Sequence, residues 1–261
     1  MLKHTTDIKI EKITGNKRYF TEDTVIKEFP FTIHINGKPL VTLLCSPMHL
    51  DYLALGYLES EGFIQGKGDV NKIDFDQETG SIHLEITHDE EMFLNKSRLH
   101  PIFTTGCGKG TTYFPAREIL KSHPITSPLS LFPSKILSLV KELENRGELF
   151  RATGGAHISA LADGEKIIFV FEDIGRHNAL DKLFGACMMH GVGYEDKIIV
   201  TSGRISSEML IKCARRKIPL LISRSAATGL AVDLAEKTGI TLIGFVRENR
   251  MNIYTHGWRI K

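Results

Sequence analysis

One thiol in this chain stands in a setting suited to reactivity. Thr104-Thr105-Gly106-Cys107-Gly108-Lys109-Gly110 places Cys107 between glycines at alternate positions, with an ammonium group two residues on. Glycines leave the backbone open and unshielded, and Lys109 favours the thiolate over the thiol, lowering the pKa of Cys107. A thiolate on an open polar loop suits a step in which sulfur is handed from one protein to another site. A cysteine that cleaves amides needs rigid geometry beside a histidine instead. The other cysteines, Cys45, Cys187 and Cys213, fall in apolar strand and helix patterns, which predicts core positions. No C-x-x-C pair occurs, so the spacing argues against a cysteine-rich zinc site, and no structural metal is expected. Free thiols of this kind suit a reducing compartment.

A second group of chemistry-bearing residues follows apolar runs. The run 166–171 leads into Glu172-Asp173-Ile174-Gly175-Arg176-His177-Asn178, and 197–201 into Ser202-Gly203-Arg204-Ile205-Ser206-Ser207. The run 220–222 leads into Ser223-Arg224-Ser225-Ala226-Ala227-Thr228-Gly229, and 241–246 into Arg247-Glu248-Asn249-Arg250. Ligands of open α/β sheets bind outside the carboxyl ends of the strands. If these runs are strands pointing one way, Arg176, Arg204, Arg224, Arg247 and Arg250 gather around one crevice. Forked guanidinium donors and helix N-termini both favour an anion such as a phosphate. His177 stands in the first of these clusters and His157 follows Thr153-Gly154-Gly155-Ala156 at a predicted strand start, each able to act as an acid–base group, a hydrogen-bonding ligand or a structural residue. Neither a Walker P-loop nor a Rossmann glycine fingerprint is present; Gly106-Cys107-Gly108-Lys109-Gly110 lacks the preceding strand and the following Ser or Thr in the P-loop position.

The elements that must position these residues are legible in outline. The stretch 27–46 alternates through Phe31, Ile33 and Ile35 to an Asn36-Gly37 turn, a hairpin signature. Residues 48–64 carry helical spacing, and 69–89 predict a second hairpin. Residues 95–133 are irregular and proline-bearing, which suggests a junction near 125–133: an N-terminal α+β domain, 1–128, ending in the Cys107 loop, and a C-terminal α/β domain, 129–261. From Ser134 the pattern is helix, then a hairpin split by Asp163-Gly164, then alternating helices and strands to Val246. That order predicts an α/β fold with a mixed, largely parallel sheet covered by helices.

The chain has 261 residues, with 42% hydrophobic and 25% charged, an ordinary globular composition that excludes disordered and collagen-like classes. Net charge is +2, but residues 201–261 carry +7 and residues 1–200 carry −5, so the basic quarter contains the last three clusters. No apolar run is long enough to span a bilayer and the N-terminus has no apolar signal core, so a cytoplasmic protein without a membrane partner is expected. Basic residues interleaved with apolar strands, and only 8% aromatics, argue against nucleic acid as the partner.

The ordered set TTGCGKG, TGGAHISAL, FEDIGRHNALDKLFG, TSGRISSEM, SRSAATGLAVDLA and TLIGFVRENRMNIYT resembles the formate dehydrogenase accessory sulfurtransferase family, FdhD. The resemblance implies a cytidine-deaminase-like C-terminal part, although the deaminase zinc signature H-x-E…P-C-x-x-C is absent here. It implies homodimers that accept sulfur from a cysteine desulfurase as a cysteine persulfide. The sulfur is passed to the molybdenum or tungsten of a bis(molybdopterin guanine dinucleotide) cofactor, a bound substrate required in sulfurated form by formate dehydrogenase. Cys107 matches the persulfide carrier, and Phe245-Val246-Arg247-Glu248-Asn249-Arg250 match the cofactor-binding segment. Many members carry C-x-x-C in the loop; here Gly110 takes the second position, leaving a relay of one thiol. With this substrate, Arg176, Arg204, Arg224, Arg247 and Arg250 are expected to hold phosphates, with Ser202, Ser225 and His177 supplying hydrogen bonds. The alternatives are a non-catalytic chaperone of the sulfurated cofactor, which would need the arginines but not Cys107, and a nucleotide-dependent enzyme of deaminase-like fold.

Overall fold

The computed structural model describes residues 4–76, 79–87, 102–103, 111–112 and 124–261. Strands β1 (Thr5–Thr14) and β2 (Lys17–Ile26) form a two-stranded antiparallel ribbon. Strands β3 (Phe29–Ile35) and β4 (Lys38–Cys45) form the expected hairpin. Asn36 and Gly37 turn it with φ of 48° and 78°, the left-handed values that make Asn-Gly the favoured pair. Helix α1 (Leu50–Ser60) follows, then the second expected hairpin, β5 (Val70–Asp76) and β6 (Ser81–Ile86). The sheet runs β4-β3-β6-β5. Its inward side chains Phe31, Ile33, Ile35, Ile82 and Leu84 pack against Leu53 and Leu58 of α1. Two short strands, β7 (Ile102–Phe103) and β8 (Thr111–Thr112), pair with one another.

Helix α2 (Pro133–Arg146) begins on a proline, whose fixed φ suits a first helical position. A short α3 (Glu148–Thr153) follows. The second sheet is built from β9 (His157–Ala162), β10 (Ile167–Asp173), β11 (Ile198–Thr201), β12 (Leu220–Ser223), β13 (Thr241–Arg247) and β14 (Arg250–Ile253), in the order β10-β9-β11-β12-β13-β14. Helices α4 (Arg176–His190), α5 (Ser207–Arg215) and α6 (Gly229–Thr238) connect its later strands. Period-two alternation sorts the strand residues into layers. Leu161, Ile199, Leu221 and Leu242 share a core with α4, α5 and α6, while Ala160, Val200, Ile222 and Ile243 share one with α2. The sheet is mixed, as the sequence predicts, but less parallel than expected: β11-β12 and β12-β13 pair parallel and the other three neighbours antiparallel, because β9 and β14 run against the rest.

The two sheets are joined through α1 and α4, which cross almost backbone to backbone. A Cβ on Gly56 would lie 1.8 Å from the Asp181 carbonyl oxygen, and one on Gly185 would lie 1.9 Å from the Tyr52 carbonyl oxygen. Only glycine permits this approach, because any side chain would push the helices apart. Gly185→Ala should therefore destabilise the protein by about 1–3 kcal/mol, the range for overpacking. Urea denaturation would read this as a lower midpoint at unchanged slope, and an unaltered midpoint would mean the crossing can relax.

Candidate functional site

Strand direction decides whether the polar clusters meet. β9 is antiparallel to both β10 and β11, so β10 and β11 run the same way, and β12 and β13 continue parallel to β11. The carboxyl ends of β10, β11, β12 and β13 therefore lie on one rim, as the sequence predicts. β9 and β14 run oppositely and bring their first residues, His157 and Arg250, to that same rim. The register pairs Asp173 with His157, Thr201 with Ser159, and Arg247 with Arg250. Arg176 and His177 are the first residues of α4, and Arg247 is the last of β13, so both groups sit at element ends.

The loops of the rim are stitched together by main-chain and hydroxyl contacts. The Ser202 hydroxyl accepts from the Ile158 N–H at 3.0 Å. Ser223 donates its hydroxyl to the Gly203 carbonyl at 2.7 Å and accepts the Ser225 N–H at 2.8 Å. The Ser225 carbonyl accepts the Phe245 N–H at 3.0 Å. At Gly244 and Phe245 the chain leaves regular strand pairing, and Phe245 is held at φ 51°, a left-handed conformation that is costly for an aromatic residue. Glu248 in the next turn has φ 50°. A Cβ on Gly203 would lie 2.9 Å from the Arg176 Cβ and 3.4 Å from the His157 Nδ1, so the absence of a side chain at 203 lets these two residues close over the loop.

The predicted binding residues differ in what they already do. Arg204, Arg247, Glu248, Asn249 and Arg250 are exposed along the rim, and Ser202, Arg224, Ser225 and Phe245 are half-buried. Arg176 is buried at the foot of the rim. Arg224 is ion-paired to Glu144 of α2, and the Arg247 Nε donates to the Arg224 carbonyl at 3.2 Å. The Val246 side chain lies in the core with 1% exposure, so only its main chain is available to a ligand. His177 Nε2 lies 3.1 Å from a Glu208 carboxylate oxygen and 3.3 Å from the Ser206 hydroxyl, which also caps α5 by accepting the Met209 N–H. Glu208 and Glu144 were missing from the residues the sequence singled out, and Gly203 stood in a recognised cluster without a role of its own. Glu208 lies in the first turn of α5 beside a recognised cluster, whereas the Glu144 partnership spans distant elements and carries no local signal.

Burial dominates the titration here. It pushes His177 down to about 2, helped by the nearby Lys212, Arg176 and His157. His157 is lowered by burial and then by Arg176, with Asp173 opposing and Arg204 adding to the decrease. Both imidazoles are neutral near pH 7. Glu208 is raised by burial against the pull of Lys212 and Arg176. Among the described cysteines, Cys45, Cys187 and Cys213 are buried as expected, and burial raises each thiol to about 12. Inert core thiols leave Cys107 as the candidate nucleophile; it stands between β7 and β8 in sequence, outside the described residues.

Fold and site together define a layered α/β protein of the open-sheet class, with arginines from several strand ends turned to one rim. The chain belongs to the FdhD/NarQ family, whose model matches residues 26–261. It is 40% identical over 240 residues to the sulfur carrier protein FdhD of Bacillus subtilis (strain 168), covering 92% of this chain and 91% of that one. It is 40% identical over 254 residues to the sulfur carrier protein FdhD of Geobacillus kaustophilus (strain HTA426), covering 96% and 95%. A crystal structure from Desulfotalea psychrophila, assigned as a formate dehydrogenase accessory protein, superposes with a TM-score of 0.80 at 25% identity, over 99% of this chain and 100% of that one.

The depressed His177 sets a pH dependence of known sign. Unfolded, this histidine titrates near its ordinary 6.5; folded, it stays neutral down to about 2. Below pH 6.5 the unfolded chain therefore binds a proton that the native one does not, and stability is lost as pH falls toward 2. Glu208, being raised, acts in the opposite sense, so the comparison must be with a variant that keeps it. His177→Gln should flatten the fall in unfolding free energy between pH 6 and 4 by up to about 1.4 kcal/mol per pH unit. Equal slopes in the two proteins would show that His177 is not held neutral.

Proposed function

We propose that this protein is a sulfurtransferase that carries sulfur on Cys107 as a persulfide. It delivers that sulfur to the molybdenum or tungsten of a bis(molybdopterin guanine dinucleotide) substrate destined for formate dehydrogenase. The observation that carries the reading is the convergence of arginines from separate strand ends on one rim, in a chain whose relatives are named sulfur carriers. A ligand with two pyrophosphates and two guanines needs a basic surface spread over several loops. Arg204 and Arg250 are exposed for it, while Arg224 and Arg247 are tied to one another and to α2.

In this mechanism a cysteine desulfurase presents its persulfide, and the Cys107 thiolate attacks the outer sulfur. The donor's S–S bond breaks as a new S–S bond forms on Cys107, and the donor leaves as a thiolate, so this step involves no net oxidation. The Cys107 S–S bond then breaks as a sulfur–metal bond forms: the reduced metal of the substrate supplies the two electrons that bring the outer sulfur to the sulfide level, the metal is oxidised by two, and Cys107 leaves as a thiolate. His157, His177, Ser202 and Ser225 hold the rim loops and offer hydrogen bonds to the ligand, while Phe245, presented by its strained backbone, offers a ring face to a guanine. Gly110 leaves no second thiol in the motif, so one carrier cysteine serves the relay. The proposed assembly is a cytoplasmic homodimer; among the described residues no helix is long and apolar enough to cross a membrane.

Incubation with a cysteine desulfurase and sulfur-labelled cysteine should label the wild-type protein and leave Cys107→Ala unlabelled. Equal labelling would remove Cys107 from the mechanism. Restoration of formate dehydrogenase activity by Cys107→Ala in cells would favour the non-catalytic carrier instead. A second measurement addresses the rim. Guanosine diphosphate should bind, and Arg204→Ala and Arg250→Ala should each weaken it about tenfold, the value of one charge-assisted hydrogen bond. Affinities indistinguishable from wild type would move the ligand away from this rim.

A further inference from the structure

The β1–β2 ribbon supplies none of the rim residues described above and precedes most of the stretch matched by the family model, which begins at residue 26. It is held at its base, where a Cβ on Gly155 would meet the Ile26 side chain at 3.0 Å. Beyond that base it stands in solvent: Phe20 is 84% exposed, Ile13 60%, Tyr19 45% and Ile8 42%. Among the described residues β2 pairs with β1 alone, and its other edge has no strand partner among them. A two-stranded ribbon is marginal in water, and an open edge is a template for another strand.

The sequence of β2 specifies which strand. Written from its start, β2 is Lys17-Arg18-Tyr19-Phe20-Thr21-Glu22-Asp23-Thr24-Val25-Ile26. Folded back on itself about Phe20, Lys17 meets Asp23, Arg18 meets Glu22 and Tyr19 meets Thr21. Each basic residue thereby faces an acidic one, and the aromatic residue faces its own copy. The backbone permits this register. The turn at Gly15-Asn16 pairs Thr14 with Lys17, and the flanking residues of a two-residue turn exchange their hydrogen bonds. The odd-numbered residues of β2 are therefore bonded to β1, and Arg18, Phe20 and Glu22 turn their N–H and C=O groups to the free edge. An antiparallel self-pairing about Phe20 sets Arg18 opposite Glu22 and Phe20 opposite Phe20, so every outward group finds an outward partner. Sliding the strands by two residues keeps the hydrogen bonds but sets Arg18 against Phe20 or Thr24, and the charge pairing is lost.

We propose that the free edge of β2 is the interface between two copies of this chain, paired antiparallel about a two-fold axis at Phe20. The product is a four-stranded ribbon in the order β1-β2-β2-β1, tied by the Lys17–Asp23 and Arg18–Glu22 pairs, each occurring twice by symmetry. Phe20 is a diagonal neighbour of Ile13 on the same face, because its direct partner in β1 is Glu11. The axis therefore brings both phenylalanines and both isoleucines together over a shared apolar strip. Arg18 already reaches Glu11 within its own ribbon, at 3.4 Å, and this holds the guanidinium on the face where Glu22 of the second copy arrives. The inference names the interface of the homodimer proposed above but does not depend on sulfur chemistry.

Charge reversal tests it on the full-length protein. By analytical ultracentrifugation the wild type should be dimeric, and Glu22→Arg should raise the dimer Kd about a hundredfold or more, since it sets like charges opposite one another twice. The double variant Arg18→Glu/Glu22→Arg should restore the dimer. A wild-type monomer, a dimer indifferent to Glu22→Arg, or a double variant that stays monomeric would each overturn the proposal. An independent arm uses Phe20→Cys in a Cys107→Ser background. Directly opposed hydrogen-bonded residues lie about 5.5 Å apart at Cα, within disulfide range. Oxidation should give a covalent dimer, and failure to cross-link would also refute the interface. Sulfur labelling of Cys107 in the Glu22→Arg variant separates this outcome from the transfer reading, because a folded monomer can still accept sulfur.

Discussion

A buried ion pair ties the molecule together at the foot of the rim. Lys182 of α4 and Asp173 at the end of β10 lie 2.6 Å apart with both side chains sealed from water. Ser46, just after β4, completes the site: its N–H donates to Asp173 at 3.0 Å, and its hydroxyl and carbonyl accept from Lys182 at 2.9 and 3.1 Å. The other Asp173 oxygen accepts from the Gly175 N–H and the Asn178 amide, at 2.8 and 2.9 Å, and Asn178 also reaches the Leu44 carbonyl. Two charges buried this way are tolerable only when each remaining lone pair and proton finds a partner. Loss of one partner leaves an uncompensated buried charge, so the end of β4, the end of β10 and the first turns of α4 must assemble together. That requirement sets where Arg176 and His177 stand.

The same logic recurs at the neighbouring position of α4, Asp181. Lys212 of α5 lies 2.5 Å from Asp181, which also accepts the Ser60 hydroxyl at 2.7 Å. Arg216 pairs with Glu59 of α1 and covers the Phe184 ring, its guanidinium carbon 3.7 Å from the centroid. Charged groups thus run under the apolar layers between α1, α4 and α5, and the glycine crossing of α1 and α4 brings them close enough to pair. Cores of leucine and isoleucine alone would leave helix register loose; these polar contacts tie particular residues of one sheet's cover to the other's.

The rim itself is an economy of connection. Each loop is fastened to the next by a hydroxyl or a main-chain group, from Ile158 to Ser202, from Gly203 to Ser223, and from Ser225 to Phe245. Loops so linked fix the backbone from which the arginines project, which would lower the ordering cost of the binding proposed above. Serine suits these positions because its hydroxyl can satisfy a neighbouring backbone group at short range. The left-handed turns at Phe245 and Glu248 add local strain that the surrounding bonds support.

The sequence by itself determined the hairpin at Asn36-Gly37, the alternation of helices and strands after residue 133, and the gathering of polar clusters at strand ends, because period, turn chemistry and composition are local properties. It also isolated Cys107 as the one thiol in a glycine-rich polar loop. It did not disclose β1 and β2, whose exposed faces carry no buried apolar stripe to announce them, nor α3, which is too short for a periodicity, nor β14, whose mostly exposed Arg-Met-Asn-Ile run is not apolar like β11 and β12. Only the tertiary structure decided that β10 shares its direction with β11, since that depends on β9 reversing between them. It alone decided that Lys182, Asp181 and Lys212 lie inside, because burying a charge depends on partners distant in sequence. The glycines at 56, 185 and 203 follow the same rule: their need for no side chain is set by a neighbouring backbone or arginine that three-dimensional packing brings there.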